Sequence, residues 1–543
     1  MSSQRTLQRI AHAMVVMSVL GFLTACGGGG DSPLAPPNIN SNPLPLADVN
    51  QPYSADLTAT GSGPFTWTVT GLPQGITVDP ATGKLTGPAT QPGQFNLAIE
   101  VKGPGGTDTE NLSMTVLDKT HLASVNSDEV QATGGDSGNG FVAPFQRSLD
   151  PGISNTGRFV VFDSAATNLG GTNGRRHVYL RDREIGETQL ISKKSDGTQG
   201  NNDSHVAVVS DDGRFVAFDS FASNLIDGDS NQARDIFLHD RQTGTTVRIS
   251  QTPQGTEGGC PLGVGENCNS FDPSMSADGN LIAFGTFATL LPEDLNTSTP
   301  DIYVLNKSAN TLELATKGVG GMAANGGSGS PQISADGRFV VFSSVANNLV
   351  ANDPDLTTLI DDVFAYNVAS KQITKISVTP DPAVAADGAS QNPTISNNGS
   401  RIAFSSVATN LGTGDSGIRD VFIVDWNGTS APTNFRRIGG NAESDSPSLS
   451  RDGNFLALHS LATDLPIVPP ISTNGQQQIY VLQIGTSIKP ASVNSAGQMG
   501  NGESRFPAIS GDGRFIAYYS AASDLVTPDS NGNAFDAFVS QRP

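Results

Sequence analysis

The stretch Asp-Gly-Asp-Ser-Asn-Gln-Ala-Arg-Asp places Asp227, Asp229, Asn231 and Asp235 in one short loop. Closely spaced carboxylate and amide oxygens suit Ca2+, a hard cation that prefers oxygen ligands. A related stretch, Asp-Ser-Asn-Gly-Asn-Ala-Phe-Asp, runs from Asp529 to Asp536. The same residue types build Asx turns, and the first loop lacks the distal glutamate that completes an EF-hand. Turn chemistry is therefore the first reading of this loop, and a calcium site formed by Asp227, Asp229, Asn231 and Asp235 is the second.

Residues that could cleave bonds are sparse. Gly-Asp-Ser-Gly occurs at residues 135–138 and again at 414–417. It resembles the nucleophile loop of trypsin-like proteases, but it occurs twice in turn-rich text, and no matching histidine segment accompanies it. Beyond the N-terminal segment the histidines are His121, His177, His205, His239 and His459, with no metalloprotease spacing. Most are expected on the surface or in strands. No nucleophile elbow follows the last repeat, so a gated peptidase is not expected. The sequence predicts no catalytic residues and a non-enzymatic protein.

The elements that would position these residues repeat. Ser-Asp-Asp-Gly-Arg-Phe-Val-Ala-Phe-Asp-Ser begins at Ser210, and close copies begin at Ser334 and Ser510. Taking the turn glycine as marker, seven copies fall at Gly157, Gly213, Gly279, Gly337, Gly399, Gly453 and Gly513. A serine stands three residues before each, an alanine nine after, and a leucine twelve after. Each copy reads as a tight turn, a strand apolar on both faces, a third strand such as 235–240, and a fourth such as 245–250. Four strands repeated seven times predict a seven-bladed β-propeller.

The last copy has room for only three strands, so Thr120–Val125 is expected to supply the fourth beside Ala537–Ser540 and close the ring. The text Pro-x-Ile-Ser-x-Asp-Gly-Arg-Phe-Val-Ala-Phe, with Asp-Ile-Phe and Thr-Gly after it, resembles the TolB-type β-propeller repeat over some 420 residues. The resemblance implies a fold, not an activity. Ala207 replaces the usual proline, and His177 and Gln478 replace the usual aspartate; those two blades are expected to lack one loop bond.

Residues 44–118 alternate apolar and polar side chains between Asp-Pro and Thr-Gly turns, which predicts a small β-sandwich packed around Trp67. Its Trp-Thr-Val-Thr-Gly-Leu-Pro-Gln-Gly and Thr-Gly-Lys-Leu motifs resemble immunoglobulin-like modules of bacterial surface proteins. The fold class is thus all-β, a sandwich followed by a propeller at 119–543. Before the sandwich, Arg5 and Arg9 precede an apolar run, Ala13–Leu23, of export-signal form. Leu23-Thr24-Ala25-Cys26 resembles the bacterial lipobox, which implies a signal peptide at 1–25, lipidation of Cys26 and a membrane anchor. Gly27 rather than aspartate implies, by the same resemblance, the outer membrane. Residues 26–43 read as a tether.

Export also bears on Cys260 and Cys268. In an oxidising compartment the two are expected to form a disulfide, with free buried thiols as the alternative. Two cysteines without nearby histidines are too few for a metal site. The chain carries 52 acidic against 31 basic residues, a net charge of −21. That balance disfavours nucleic acid as a partner. The expectation is a lipid-anchored envelope protein whose propeller is a platform for envelope protein partners. A glycan-binding or glycan-cleaving propeller is the alternative, with no cofactor other than a possible calcium ion.

Overall fold

The computed structural model describes residues 34–40, 44–138, 151–260, 268–296, 299–351, 353–354, 360–381, 383–412, 417–468 and 474–543. The export segment, Cys26 and the second Gly-Asp-Ser-Gly lie wholly or largely outside the described residues. Among the described residues no helix is long and apolar enough to cross a membrane.

The sandwich packs a four-stranded sheet against a three-stranded one. The first contains Ala47–Asp48, Gly106–Leu117, Gly93–Gly103 and Thr66–Thr70, and the second contains Pro52–Asp56, Lys84–Pro88 and Thr77–Val78. Alternation along the strands sends Trp67, Leu85, Leu97, Ile99, Val101, Met114 and Val116 into one core. Trp67 is a core residue, 4% exposed.

Seven four-stranded antiparallel sheets follow in chain order, and they are the expected blades. In the second blade the strands are Ser204–Val209, Phe215–Ser220, Asp235–Asp240 and Thr245–Arg248. All six residues of Phe215–Ser220 are buried, because neighbouring blades cover both faces. Phe218 stacks on Phe237 of the adjoining strand at 5.9 Å, and aromatic pairs of the same kind recur in five other blades.

The repeated serine and acid have a definite task. Ser210 Oγ accepts the Phe215 N–H at 2.9 Å and donates to Asp212 Oδ1 at 2.6 Å, while Asp212 accepts the Arg214 N–H. Gly213 sits in this turn at φ +70°, and a Cβ there would meet the Phe159 ring of the preceding blade at 2.5 Å. Glycine is thus required by both the turn and the blade seam.

Ring closure follows the expected pairing. Thr120–Leu122 runs antiparallel to Asp536–Gln541, with Thr120 opposite Ser540, His121 opposite Val539 and Leu122 opposite Phe538. Ser124 Oγ donates to Asp536 Oδ1 at 2.8 Å and fastens the end of the closing segment.

One expectation is corrected. The blades with His177 and Gln478 keep the loop bond that aspartate makes elsewhere. Asp235 accepts Ser250 Oγ at 2.6 Å; Gln478 Oε1 accepts Ser492 Oγ at 2.6 Å, and His177 Nδ1 meets Ser192 Oγ at 3.0 Å. An amide oxygen or a ring nitrogen serves the same hydroxyl.

Candidate functional site at the channel mouth

The innermost strands, such as Ser204–Val209 and Ser444–Leu449, line a central cavity of about 180 Å3. Each runs from the end we term the mouth to the Ser-x-Asp-Gly turns at the other end, the floor. The two ends differ. At the floor, successive turns are laced by backbone bonds: Asp211 N–H to Ala277 O, Ala277 N–H to Ala335 O, Arg451 N–H to Gly511 O. Across this belt Arg451 of the sixth blade makes a two-pronged ion pair with Asp211 of the second. The sandwich docks on the same side: Arg183, in a floor-side turn, meets Asp48 at 2.6 Å, and the Leu46 N–H donates to Glu184 O at 2.6 Å.

At the mouth, six innermost strands carry a bulge. Val206, Asp272, Ser330, Asn392, Ser446 and Phe506 adopt φ between 32° and 55° at this point, where the register to the second strand shifts. Such a conformation is costly for side chains other than glycine, above all for the β-branched Val206. The bulge aims neighbouring side chains at the axis, and Val206, Ser330, Asn392 and Ser446 line the cavity.

Around this rim stands a ring of charged and aromatic residues. In the first arc, Asp163 is held by Arg176 at 2.9 Å and by Tyr519 Oη at 3.0 Å, with His205 Nδ1 at 3.7 Å. Burial alone would push the Asp163 carboxyl up, but Arg176, His205 and Tyr519 outweigh it and hold it at about 2. In the second, Arg234 lies 3.5 Å from Asp219 and its guanidinium sits over the rings of Phe221 and Phe271.

The third arc is the longest. Gln391 donates to Asp361 and accepts Arg419 Nη1 at 3.2 Å; Arg419 Nε is 3.6 Å from Asp445, which accepts Asn392 Nδ2 at 2.9 Å. His459 follows, its Nδ1 accepting the Phe506 N–H at 3.3 Å, and then Arg505 over the Phe535 ring. Burial lowers the His459 imidazole to about 4, against the pull of Asp445. The ring therefore offers fixed guanidinium groups, ionised carboxylates, a neutral imidazole and the half-exposed Phe221.

Ser405, Asp445 and His459 have the residue types of a hydrolytic triad, yet the carboxylate stands between serine and histidine. No hydrogen bond joins Ser405 Oγ to the imidazole. His177 does lie between Ser192 Oγ and Asn173 Oδ1, but His177 and Ser192 are wholly buried inside the first blade. Ser137 of the first Gly-Asp-Ser-Gly is also buried and donates to Ser164 Oγ at 3.0 Å. All five histidines lie in strands, the second of the two places expected for them: His121, His177, His239 and His459 are buried, and His205 nearly so.

The acidic loop of the second blade converges on a side chain. Arg248 Nη1 lies 3.4 Å from Asp229, 3.3 Å from Asp235 and 3.1 Å from Glu257, while Asn231 Nδ2 donates to Asp235 at 3.0 Å. Asp227 turns outward onto Lys194. The guanidinium takes the place a calcium ion would fill, and Asp227 stands apart. Among the described residues no group of three or more His, Cys, Asp or Glu could hold a metal. Cys260 and Cys268 are joined by a disulfide.

Of the mouth residues, only His205 and His459 were named from sequence, and as histidines of surface or strand rather than as members of a site. Many of the mouth residues occupy two positions of the repeat, eight residues before the turn glycine and six after it. Those positions hold His205, Phe271, Gly329, Gln391, Asp445 and Arg505, and Asp163, Asp219, Gly285, Ser343, Ser405, His459 and Tyr519. Chemical variety in two columns of an otherwise uniform repeat is the signal that would have found them.

Residues 36–117 match the family described as "Putative Ig domain". No curated protein matches the chain. Among solved structures, the chain is similar to a putative TolB from Agrobacterium tumefaciens at 15% identity, covering 66% of this chain and 94% of that one with a TM-score of 0.34. It is similar to a prolyl endopeptidase at 14% identity, covering 74% of this chain and 51% of that one, TM-score 0.43. A putative alpha-galactosidase from Bacteroides fragilis is 23% identical over 15% of this chain, TM-score 0.15, and the chain spans only 18% of its length. The propeller rests on the chain's own seven sheets, independently of these likenesses.

Proposed function

We propose that the protein is a non-enzymatic binding platform of the cell envelope, held to the membrane through a lipid on Cys26, with the channel mouth as its recognition face and an envelope protein as its partner. The observation that carries this reading is the polarity of the ring. The floor is laced, crossed by the Arg451–Asp211 pair and occupied at one edge by the sandwich. The mouth gathers the long loops between second and third strands, the strained bulges and the charged rim. A tether that enters through the sandwich leaves the mouth facing away from the membrane. Rigid scaffolds with variable loops on one face are a common arrangement for recognition.

The test is capture of partners from detergent-solubilised native envelope by the immobilised mature chain, with bound proteins identified by mass spectrometry. One stoichiometric partner supports the reading; an empty column with a correctly folded bait contradicts it.

A glycan ligand is the second reading, favoured by the pairing of Phe221 with Arg234 and of Phe535 with Arg505 at the rim. Aromatic faces beside fixed hydrogen-bond donors suit sugar rings. Saturable binding of a polysaccharide, surviving high salt, would replace the protein-partner reading.

A further inference from the structure

The third strand of a blade opens with an aspartate in five cases: Asp235, Asp301, Asp362, Asp420 and Asp536. Each is buried next to the loop at the mouth end. A buried carboxylate needs a compensating charge or donors. In three blades the fourth strand supplies a cation from the position opposite the third residue of that strand. Arg248 stands opposite Phe237, Lys375 opposite Phe364 and Arg437 opposite Phe422. Arg248 reaches Asp235 at 3.3 Å and the loop residue Asp229 at 3.4 Å; Lys375 reaches Asp362 at 2.6 Å and the loop residue Asp353 at 2.7 Å. Arg437 pairs with Asp420 at 2.5 Å.

Two other blades have no cation there and no acid at the strand start: His177 goes with Leu190, and Gln478 with Pro490. In the last blade Leu122 occupies the position, and the Gln131 amide donates instead, at 2.8 Å to Asp536 and 3.0 Å to Asp529.

The third blade breaks this pattern. Leu314 stands opposite Tyr303, yet both carboxylates remain, Asp301 at 1% exposure and the loop residue Asp294 at 7%. Each uses one oxygen: Thr316 Oγ1 donates to Asp301 Oδ1 at 2.6 Å, and Tyr303 Oη to Asp294 Oδ2 at 2.8 Å. Asn296 lies against both, through its backbone at Asp294 and its side chain at Asp301, yet Asp294 Oδ1 and Asp301 Oδ2 are left without a hydrogen bond of good geometry among the described residues. Thr299 Oγ1, a further oxygen of the same loop, also lacks a partner among them.

We infer that Asp294 and Asp301 bind a divalent cation of the calcium class, which replaces in the third blade the side-chain cation that Arg248 and Lys375 supply in the second and fourth. Two carboxylates match the charge of a divalent ion, and hard oxygen donors match calcium. This inference is independent of the proposed partner.

The test uses the full chain freed of metal by chelation, with Ca2+ followed by calorimetry and Tb3+ by aromatic-sensitised luminescence, for which Tyr303 lies beside Asp294. A saturable site is expected, with Ca2+ displacing Tb3+. Asp294→Asn and Asp301→Asn should weaken it by about tenfold or more, and Leu314→Lys, which rebuilds the arrangement of Lys375, should abolish it. Asp229→Asn, in the arginine-filled loop, should leave it unchanged. If Leu314→Lys does not fold by circular dichroism, the two asparagine variants decide. No binding at millimolar Ca2+, binding of Na+ that Ca2+ cannot displace, or a site indifferent to both asparagine variants would overturn the inference.

Discussion

Arg451 grips both carboxylate oxygens of Asp211, 240 residues away in sequence and on the far side of the ring. The pair ties the sixth blade to the second across the axis, so the cavity lined by the innermost strands has a crossed floor and a mouth rimmed with charge. It adds a transverse strut to a ring in which each blade otherwise packs on its neighbours.

The strut should be measurable. The two side chains are 27% and 29% exposed, between a surface pair and a buried one. A double-mutant cycle with Arg451→Ala and Asp211→Ala should give a coupling of about 1–2 kcal/mol in chemical denaturation. Strict additivity of the two single variants would show that the pair carries nothing.

Ring closure should weaken as pH rises. Burial pushes the Asp536 carboxyl up to about 6, despite the donors Ser124, Asn531 and Gln131. Between about pH 4 and 6 the folded chain keeps a proton that the unfolded chain has already lost, so stability falls across this window and stays lower above it. The whole effect is at most about 3 kcal/mol. Asp536→Asn should therefore raise Tm relative to the parent at pH 7 and lose that advantage near pH 4. An equal shift at both pH values would contradict the assignment.

His459 works in the opposite direction. Its imidazole is lowered to about 4, first by burial and then by Arg505, with Asp445 opposing. The stability it contributes is complete above the unfolded value near 6.5 and is lost as pH falls through the folded value. Because Nδ1 accepts the Phe506 N–H, the proton resides on Nε2. Nitrogen-15 NMR should find that tautomer, a midpoint near 4, and a still lower midpoint in Asp445→Asn. A midpoint above 6 would contradict this account.

Removing the disulfide with Cys260→Ser and Cys268→Ser opens a short loop in the third blade and should cost about 2–3 kcal/mol. Denaturation of oxidised, reduced and double-serine protein checks it; three coincident curves would speak against a stabilising bridge.

The scaffold was legible in the sequence because its determinants are local. Ser210, Asp212 and Gly213 make their bonds within five residues, and Phe215–Ser220 announces burial on both faces by its composition. The closing strand was legible because the last copy lacks its fourth strand. The mouth was not, because its contacts join residues from different blades: Tyr519 and Asp163 are 356 positions apart. The partner of the acidic loop was not legible for a related reason. Arg248 lies 13 residues beyond Asp235, and only the strand register brings it into the loop. The burial of the histidines was equally invisible, because their text is polar while their strands are central.

The most direct test of the account compares the two faces of the ring. Capture from native envelope should be run in parallel with the full mature chain, with Phe221→Ala/Arg234→Ala at the mouth, and with Arg338→Ala in a floor-side turn, each confirmed as folded. The account predicts that the mouth variant loses the partner and the floor variant keeps it. Loss in the floor variant alone would contradict it and place the recognition face on the side of the sandwich.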